Sequence, residues 1–413
     1  MASEYDVAIV GAGAAGVAAA RRIVAAGRSA IVIEAGDRVG GRGWTTGIAG
    51  MPLDLGCGWL HSADRNPMVA LAEAAGFGID RVQSAWRAQY RNLGFARDEQ
   101  HAAWSAWTDF GDRLGKQPPA SDRAADALEP GSVWNNYLEA LSGYINGAGL
   151  ADVSVADYLA YDRASTDQNW RVEEGYGALI AGLLPPVALH LATPVTAIDH
   201  GGPVLRLATR IGTIVAKAAI VTVSTAVLAC GAIAFTPAID DHLDAAAGLP
   251  LGLADKLFLG LGEGHGLEAD SHLLGDPHNA TTGSYYIMPF GRPVIEVYLG
   301  GAGAEAMNAA GLAAAFDFAS DQLATLLGSG IRSKLRPLVG SCWRRTDFIG
   351  GSYSHALPGH APCRGILARP VDERLFFAGE ATHPTDFSTA HGAWESGVRA
   401  AEEALAAMAA LRR

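Results

Sequence analysis

Asp6-Val7-Ala8-Ile9-Val10-Gly11-Ala12-Gly13-Ala14-Ala15-Gly16 is the stretch on which the fold class turns. Its first five residues form a short, β-branched apolar run of the kind buried on both faces of a parallel sheet. Gly11, Gly13 and Gly16 follow without a break, residues 17–26 read as a helix, and Gly27 closes it. A second apolar run, Ala30–Ile33, ends at Glu34. Strand, GxGxxG turn, helix, strand and terminal acid, in that order, make a dinucleotide-binding unit of α/β type. The first glycine makes the tight turn, the second lets a pyrophosphate approach the backbone, and the third lets helix pack on strand. Free N–H groups and the dipole at the helix start hold phosphates. Glu34 accepts hydrogen bonds from ribose hydroxyls, which disfavours a 2′-phosphate and therefore NADP.

The chain around this unit has 413 residues, enough for two or three domains. With 49% hydrophobic and 18% charged residues it is not a disordered chain. Its net charge of −12 repels phosphate backbones, so no nucleic-acid partner is expected. Cys57, Cys230, Cys342 and Cys363 form no CxxC pair, and none of the histidines stands in an HExxH motif, so neither a disulfide framework nor a metal site is expected. The start lacks the basic and apolar regions of a signal peptide, Arg21-Arg22 falls inside a helical pattern, and no apolar tail follows Arg413. The longest apolar stretch, residues 218–235, is broken by Thr222, Ser224 and Thr225 and reads as a buried strand and turn rather than a membrane span. The expectation is a cytoplasmic chain without a membrane partner, as a monomer or homodimer.

Beyond Glu34, the run Ala35-Gly36-Asp37-Arg38-Val39-Gly40-Gly41-Arg42 sets a glycine pair and two arginines beside the same phosphates. Together with the glycine turn and the strand-end acid, it resembles the start of the flavin-containing amine oxidases, where these elements bind FAD. The resemblance implies FAD contacts from Gly11, Gly13, Ala14, Ala15, Gly16, Glu34, Ala35, Arg38, Gly41 and Arg42. Asp54-Leu55-Gly56-Cys57-Gly58-Trp59-Leu60-His61-Ser62, followed by Asn66-Pro67, resembles the polyamine-oxidase form of the family's second motif. It implies Gly58 and Trp59 against the flavin and His61 in the active site, a histidine that monoamine oxidases usually lack. Thr193-Pro194-Val195 resembles the return to the FAD domain, with Val195 near the adenine.

Gly252-Leu253-Ala254-Asp255-Lys256-Leu257-Phe258-Leu259 resembles the segment that carries the family's active-site lysine. Lys256 stands in an apolar strand, where a buried ammonium is costly unless paired or hydrated; in the family it holds a water against flavin N5. The C-terminal third is similar to the family throughout: Trp343, then Gly350-Gly351-Ser352-Tyr353-Ser354, then Leu375-Phe376-Phe377-Ala378-Gly379-Glu380-Ala381-Thr382-His383, then His391-Gly392-Ala393-Trp394-Glu395-Ser396-Gly397. This implies Trp343, Gly379, Glu380, Trp394 and Glu395 as cofactor contacts, with the Glu380 carboxylate on a ribitol hydroxyl and the last helix start stabilising charge on reduced flavin. The matching motifs run from residue 6 to 400, while 85–170 and 262–335 match loosely.

Two departures from the family pattern matter. Ser352 stands where monoamine oxidases carry the cysteine that bonds the flavin, which implies non-covalent FAD. Trp394 stands where many members have the second ring of an aromatic pair, Tyr353 being the first, and the pair would guide an amine to the flavin. The implied reaction is hydride transfer from a small amine to flavin, hydrolysis of the imine, and reoxidation by dioxygen with release of hydrogen peroxide. Lys256, Tyr353, Trp394 and His61 are the catalytic candidates. Rival readings are an amino-acid oxidase, which needs an arginine such as Arg87, Arg91 or Arg292 for the substrate carboxylate, a flavin dehydrogenase with another electron acceptor, and a non-catalytic flavin protein. No GxSxG supports a hydrolase, and Gly260–Gly266 lacks the Lys-Ser/Thr of a P-loop.

The implied architecture is α/β, α+β overall. A Rossmann-like FAD-binding domain is built from 1–77, 190–248 and 341–413. A substrate-binding domain of mixed sheet plus helices is inserted as 78–189 and 249–340.

Overall fold

The computed structural model describes residues 4–410; the expectations about the leading Met1-Ala2-Ser3 and the end at Arg413 concern residues outside that range. Strand Glu4–Val10 runs parallel to Ala30–Ile33 on one side and to Gly212–Val221 on the other. Val7 and Ile9 pack against helices on one face of this sheet and Ala8 and Val10 into a second core on the other, so all four are buried. A side chain as large as Ile9, fully removed from water, contributes about 1.5–3 kcal/mol. Ala188–His190 extends the sheet beyond Ala30–Ile33. The long strand Gly212–Val221 forks it: its first half pairs antiparallel with Leu205–Thr209, its last three residues parallel with Leu375–Phe377. Val195–Asp199 and Ala234–Thr236 complete eight strands.

Three parallel strands thus end side by side, and the residues that follow them, Gly11, Thr222 and Gly379, meet at one edge. Thr222 Oγ1 donates to the Val10 carbonyl at 2.9 Å, and the Ala378 N–H to the Val221 carbonyl at 3.0 Å. Ligands of open α/β sheets bind at this carboxyl edge. Helix Ala14–Ala25 leaves the edge three residues earlier than the apolar pattern predicts, because the turn residues Ala14, Ala15 and Gly16 themselves make its first turn. Gly16 has no alternative there: a Cβ would lie 1.9 Å from the Gly11 carbonyl oxygen. The final helix, Ala390–Ala410, packs against this first one.

A second, antiparallel sheet has the order Ser271–Leu274, Ser284–Ile287, Val294–Gly300, Ala254–Leu261, Leu335–Gly340. Its two faces follow the period of two in β structure. Leu257, Leu259, Val297, Leu299, Tyr285 and Ile287 point one way, into a core closed by Phe316, Ala319 and Leu323 of helix Leu312–Leu327. Lys256, Glu296, Tyr298, Tyr286, Ser284 and His272 point the other way, into a cavity. Helices Arg97–Lys116, Asn135–Asn146 and Val155–Ala164 cover that cavity, where the sequence predicts helices at 134–145 and 155–159. Among the described residues no helix is long and apolar enough to cross a membrane.

Candidate active site

One cavity of about 1960 Å³ runs from the edge of the first sheet to the polar face of the second. Of the expected cofactor contacts, Gly11, Gly13, Ala14, Ala15, Glu34, Ala35, Arg38, Gly41, Arg42, Gly58, Trp59, Val195, Trp343, Gly379 and Glu380 all line it. Gly16 does not; its task is the helix–strand contact. Glu34 is held rigidly, with Oε2 accepting from the Ala12 N–H at 2.6 Å and Oε1 from the Gly36 N–H at 2.7 Å. Arg38 donates to the Gly41 carbonyl at 2.7 Å and stacks over Trp44 at 4.6 Å. Trp343 meets Trp44 edge-on at 6.2 Å, and its backbone N–H donates to buried Asp255.

Midway along the cavity a buried ionic network joins four elements. Arg42 Nη1 donates to Glu380 Oε1 at 2.7 Å and to the Ser352 carbonyl at 2.8 Å. Glu380 also accepts from Ser354 Oγ at 2.6 Å and from the Ser388 N–H at 2.9 Å. Ser354 Oγ in turn accepts from Arg364, which grips Asp157 with two hydrogen bonds of 2.6 and 2.8 Å. Burial opposes the charge on Glu380, but Arg42 and Arg364 outweigh it and hold the carboxyl below its usual value. Arg364 and Asp157 carry no signal in the sequence beyond their type, since they lie 207 positions apart.

At the far end Lys256 lies almost wholly buried on its strand. Its Nζ is 2.8 Å from Glu296 Oε1, and a Cβ on Gly58 would lie 2.9 Å from that same nitrogen, so glycine at 58 is what lets the ammonium in. Burial alone would lower the lysine's pKa, but Glu296 and Asp54 outweigh it and raise it. Glu296 stands as a charge between apolar neighbours, Ile295-Glu296-Val297, and Lys256 as one beside the apolar run 257–259; Glu296 and Tyr298 were absent from the expected site. Tyr353 lies beside them. Its hydroxyl donates to the Tyr144 carbonyl at 2.6 Å and so accepts from Tyr298 at 2.9 Å. Burial keeps Tyr353 a neutral phenol, well above the usual tyrosine range.

His61 closes the chamber beside Trp59 and Trp86. Asn66 organises this turn: its Oδ1 caps helix Pro67–Ala74 through the Met68 N–H, and its Nδ2 donates to the His61 carbonyl. His61 Nδ1 is 2.7 Å from Asn169 Oδ1, whose amide is oriented by Nδ2 donating to the Asp167 carbonyl. Nδ1 is then the protonated nitrogen and Nε2 the acceptor. Burial pushes His61 down to about 4, so the ring is neutral near pH 7.

Besides Gly16, two expected site residues are not brought to the cavity. Trp394 is buried among Ala14, Val17, Leu60, Met68 and Ile180, with the Arg21 guanidinium 6.0 Å from its ring, and does not line the chamber. The helix presents Ala390 and Ala393 instead, and one residue further is a rotation of about 100°. The pairing of Trp394 with Tyr353 around an amine is thereby corrected; the aromatic ring that reaches the cavity from this segment is Phe387, 5.7 Å from Tyr161. Replacing Trp394 by Tyr is expected to keep the ratio of kcat/KM between any two amines within about twofold. Trp394→Ala is expected to cost about 3–5 kcal/mol of stability. Thermal denaturation beside an amine panel reads both, and a shifted selectivity would return Trp394 to the site.

Glu395 likewise points away, to His383 at 3.3 Å. Among the described residues His383, Asp386 and Glu395 bring donor atoms within 4.8 Å of one another. Asp386 is already held by Arg65 and His391, and His383 Nδ1 accepts from the Asp386 N–H, so these atoms are committed within the protein. Of the arginines considered for a substrate carboxylate, Arg87 lines the cavity but pairs with Asp167; Arg91 pairs with Glu268, and Arg292 binds the Pro52 and Glu173 carbonyls.

Comparison with known proteins agrees with this geometry. The family model described as flavin containing amine oxidoreductase matches residues 14–110 and 87–405. Polyamine oxidase 1 of Oryza sativa subsp. japonica is 27% identical over 98% of this chain and 98% of its own length. Polyamine oxidase 2 of Arabidopsis thaliana is 26% identical over 96% of this chain and 87% of its own. A 75-residue stretch, 18% of this chain and 16% of the relative, is 49% identical to putrescine oxidase of Kocuria rosea. Among solved structures, wild-type putrescine oxidase bound to putrescine superposes with a TM-score of 0.80 at 19% identity, covering 98% of this chain and 99% of that one, which shows the fold. A cavity that joins the glycine-turn edge of the first sheet to a buried lysine and aromatic walls, with a family match over most of the chain, places this protein in the flavin-containing amine oxidoreductase family, as an oxidoreductase acting on amine donors.

Proposed function

We propose that the protein is an amine oxidase with non-covalently bound FAD, oxidising a C–N bond of a small di- or polyamine to an imine while dioxygen is reduced to hydrogen peroxide. The observation that carries this reading is the single continuous cavity from Gly11 and Glu34 to Lys256. Its phosphate end fits a dinucleotide: helix Ala14–Ala25 has no side-chain cap and its first-turn residues line the cavity, and a buried helix start in need of acceptors suits a pyrophosphate. Glu34 suits a ribose, and Arg42 with Glu380 the stretch between phosphate and ring. When bound, the flavin supplies the hydride acceptor and the reaction with dioxygen.

This chain's own residues bind and orient. Lys256 holds a proton at the floor, Tyr353 and Phe387 offer aromatic walls that suit a cationic or neutral amine, and the bare Nε2 of His61 accepts an amine N–H. Non-covalent binding is supported by Ser352, whose hydroxyl is tied to both backbone groups of Ala254, and by Cys57, a cavity thiol that burial pushes up to about 12. Polyamines rather than monoamines are favoured by the relatives' names. The proposed domains are the FAD domain of 1–77, 190–248 and 341–413 and the substrate domain of 78–189 and 249–340, though strand Ala188–His190 crosses the boundary at 189 and belongs with the first sheet. A cytoplasmic location is supported by four free cysteines.

The test is the anaerobic visible spectrum of the purified protein before and after putrescine, spermidine, an arylalkylamine and an amino acid. A flavin band bleached by the first two is expected. A band that only the amino acid bleaches would replace this reading with an amino-acid oxidase, and the lack of any band, even with added FAD, would end it.

A further inference from the structure

An amine that arrives as a cation meets a lysine at the floor of this cavity. Two ammonium groups in a partly dry chamber repel each other strongly, so a site that uses Lys256 to receive a cation must cancel its charge. Glu296 stands where that cancellation is needed. It lies on the strand paired with that of Lys256, opposite Phe258 and so diagonal to the lysine on the same face of the sheet. Its Oε1 is 2.8 Å from Nζ, its side chain is only 17% exposed, and it lines the cavity. Among the described residues its other oxygen has no hydrogen-bonding partner. The remaining groups around the lysine do not substitute for it. Asp54, on the hairpin strand Met51–Asp54, acts on the lysine only at longer range: its oxygens are engaged by Thr45 Oγ1 and by the N–H groups of Tyr176 and Gly177, and among the described residues only Glu296 lies within ion-pair distance of Nζ. Cys57 and Tyr298 are neutral near pH 7, burial raising both, and His61 is neutral because burial lowers it. On the far side of Glu296, Tyr286 is covered by Arg171, whose charge is already taken by Asp80 and Asp270.

Resting on the proposed amine oxidation at Lys256, we propose that Glu296 is the positioning residue that fixes and neutralises Lys256, so that the chamber accepts a cationic amine next to a protonated lysine. Glu296 acts through Lys256 and through the net charge of the floor. Its removal therefore weakens binding of the cation more than it slows the chemical step.

The experiment is anaerobic reduction of the holoenzyme by putrescine in a stopped-flow instrument, which separates the dissociation constant from the limiting rate of reduction. Glu296→Gln is expected to raise the dissociation constant about tenfold or more while the limiting rate stays within about threefold. The double variant Lys256→Met/Glu296→Gln, which again has a neutral pair, is expected to bring the dissociation constant back to within about threefold of wild type. The sign with pH follows from the lysine. Without Glu296 its pKa falls, so the binding defect of Glu296→Gln shrinks as rising pH discharges Lys256, at a lower pH than in the wild type. Glu296→Asp, which keeps the charge, restores part of the affinity. A purely structural role would lower the thermal midpoint and leave the dissociation constant and its pH dependence alone, and that result, or a double variant as weak as Glu296→Gln, would overturn the inference. If putrescine and spermidine both fail to reduce the wild type, the amine reading itself falls and the inference with it, whereas a reducible wild type with an indifferent Glu296→Gln sinks only the role of Glu296.

Discussion

Lys256→Met is expected to retain its flavin and to slow flavin reduction or reoxidation about tenfold or more, a barrier rise of about 1.4 kcal/mol at the least. Met matches the length of the lysine stem without its charge. The strand that carries it is paired on both sides, with Val294–Gly300 and Leu335–Gly340, so its backbone position does not depend on the side chain. What is lost is the ammonium at the cavity floor, admitted there by the missing side chain of Gly58 and kept charged by Glu296 and Asp54. The dinucleotide edge of the cavity is untouched, which is why the flavin remains. Reduction by amine and reoxidation by air, measured separately by stopped flow, decide the matter: wild-type rates in both half-reactions would remove Lys256 from the chemistry.

Glu380→Ala is expected to cost about 3–5 kcal/mol of stability and to lower flavin content, because it leaves Arg42 without its carboxylate and removes the negative charge that Arg364 faces across Ser354. Ser354 Oγ and the Ser388 N–H lose their acceptor in the same step. The wild type should show the acid signature of this group. A carboxyl held below its usual value stabilises the fold above its unfolded pKa, near 4.5, and that stability is lost as pH falls through the lower folded value. Glu380→Gln, which keeps the shape and loses the titration, should melt lower at pH 7 and show a flatter dependence of the thermal midpoint on pH below about 5. Variants that melt with the wild type across this range would show that the network contributes nothing to the fold.

The parts of the site legible in the sequence share one physical property: their chemistry is local. The tight turn at Gly11, the helix start at Ala14 and Ala15, and the acid at the end of Ala30–Ile33 lie within one βαβ unit, so spacing along the chain is spacing in space. Asn66-Pro67 announces its helix because capping needs only neighbouring residues. Lys256 was visible as a charge in an apolar strand. Glu296, between Ile295 and Val297, is also a charge in an apolar strand, but nothing local says that Ala254–Leu261 and Val294–Gly300 are paired. Trp394 shows the converse error. A motif located its helix, but the side from which a helix meets a cavity depends on how it packs on its neighbour, and packing on Ala14–Ala25 turned Ala390 and Ala393 to the chamber and the tryptophan into the core.

By itself the sequence determined the fold class, the glycine turn and strand-end Glu34 at the edge of the first sheet, and Lys256 as the charge worth explaining, because turn geometry, strand alternation and the cost of burying an ammonium act on adjacent residues. Only the tertiary structure decided which faces look into the cavity, how Arg42, Glu380, Arg364 and Asp157 share their charges, and that Lys256 has Glu296 for a counter-ion. Those choices rest on contacts between segments far apart in the chain, formed when sheets and helices bury their apolar faces together. Residue spacing carries no record of them.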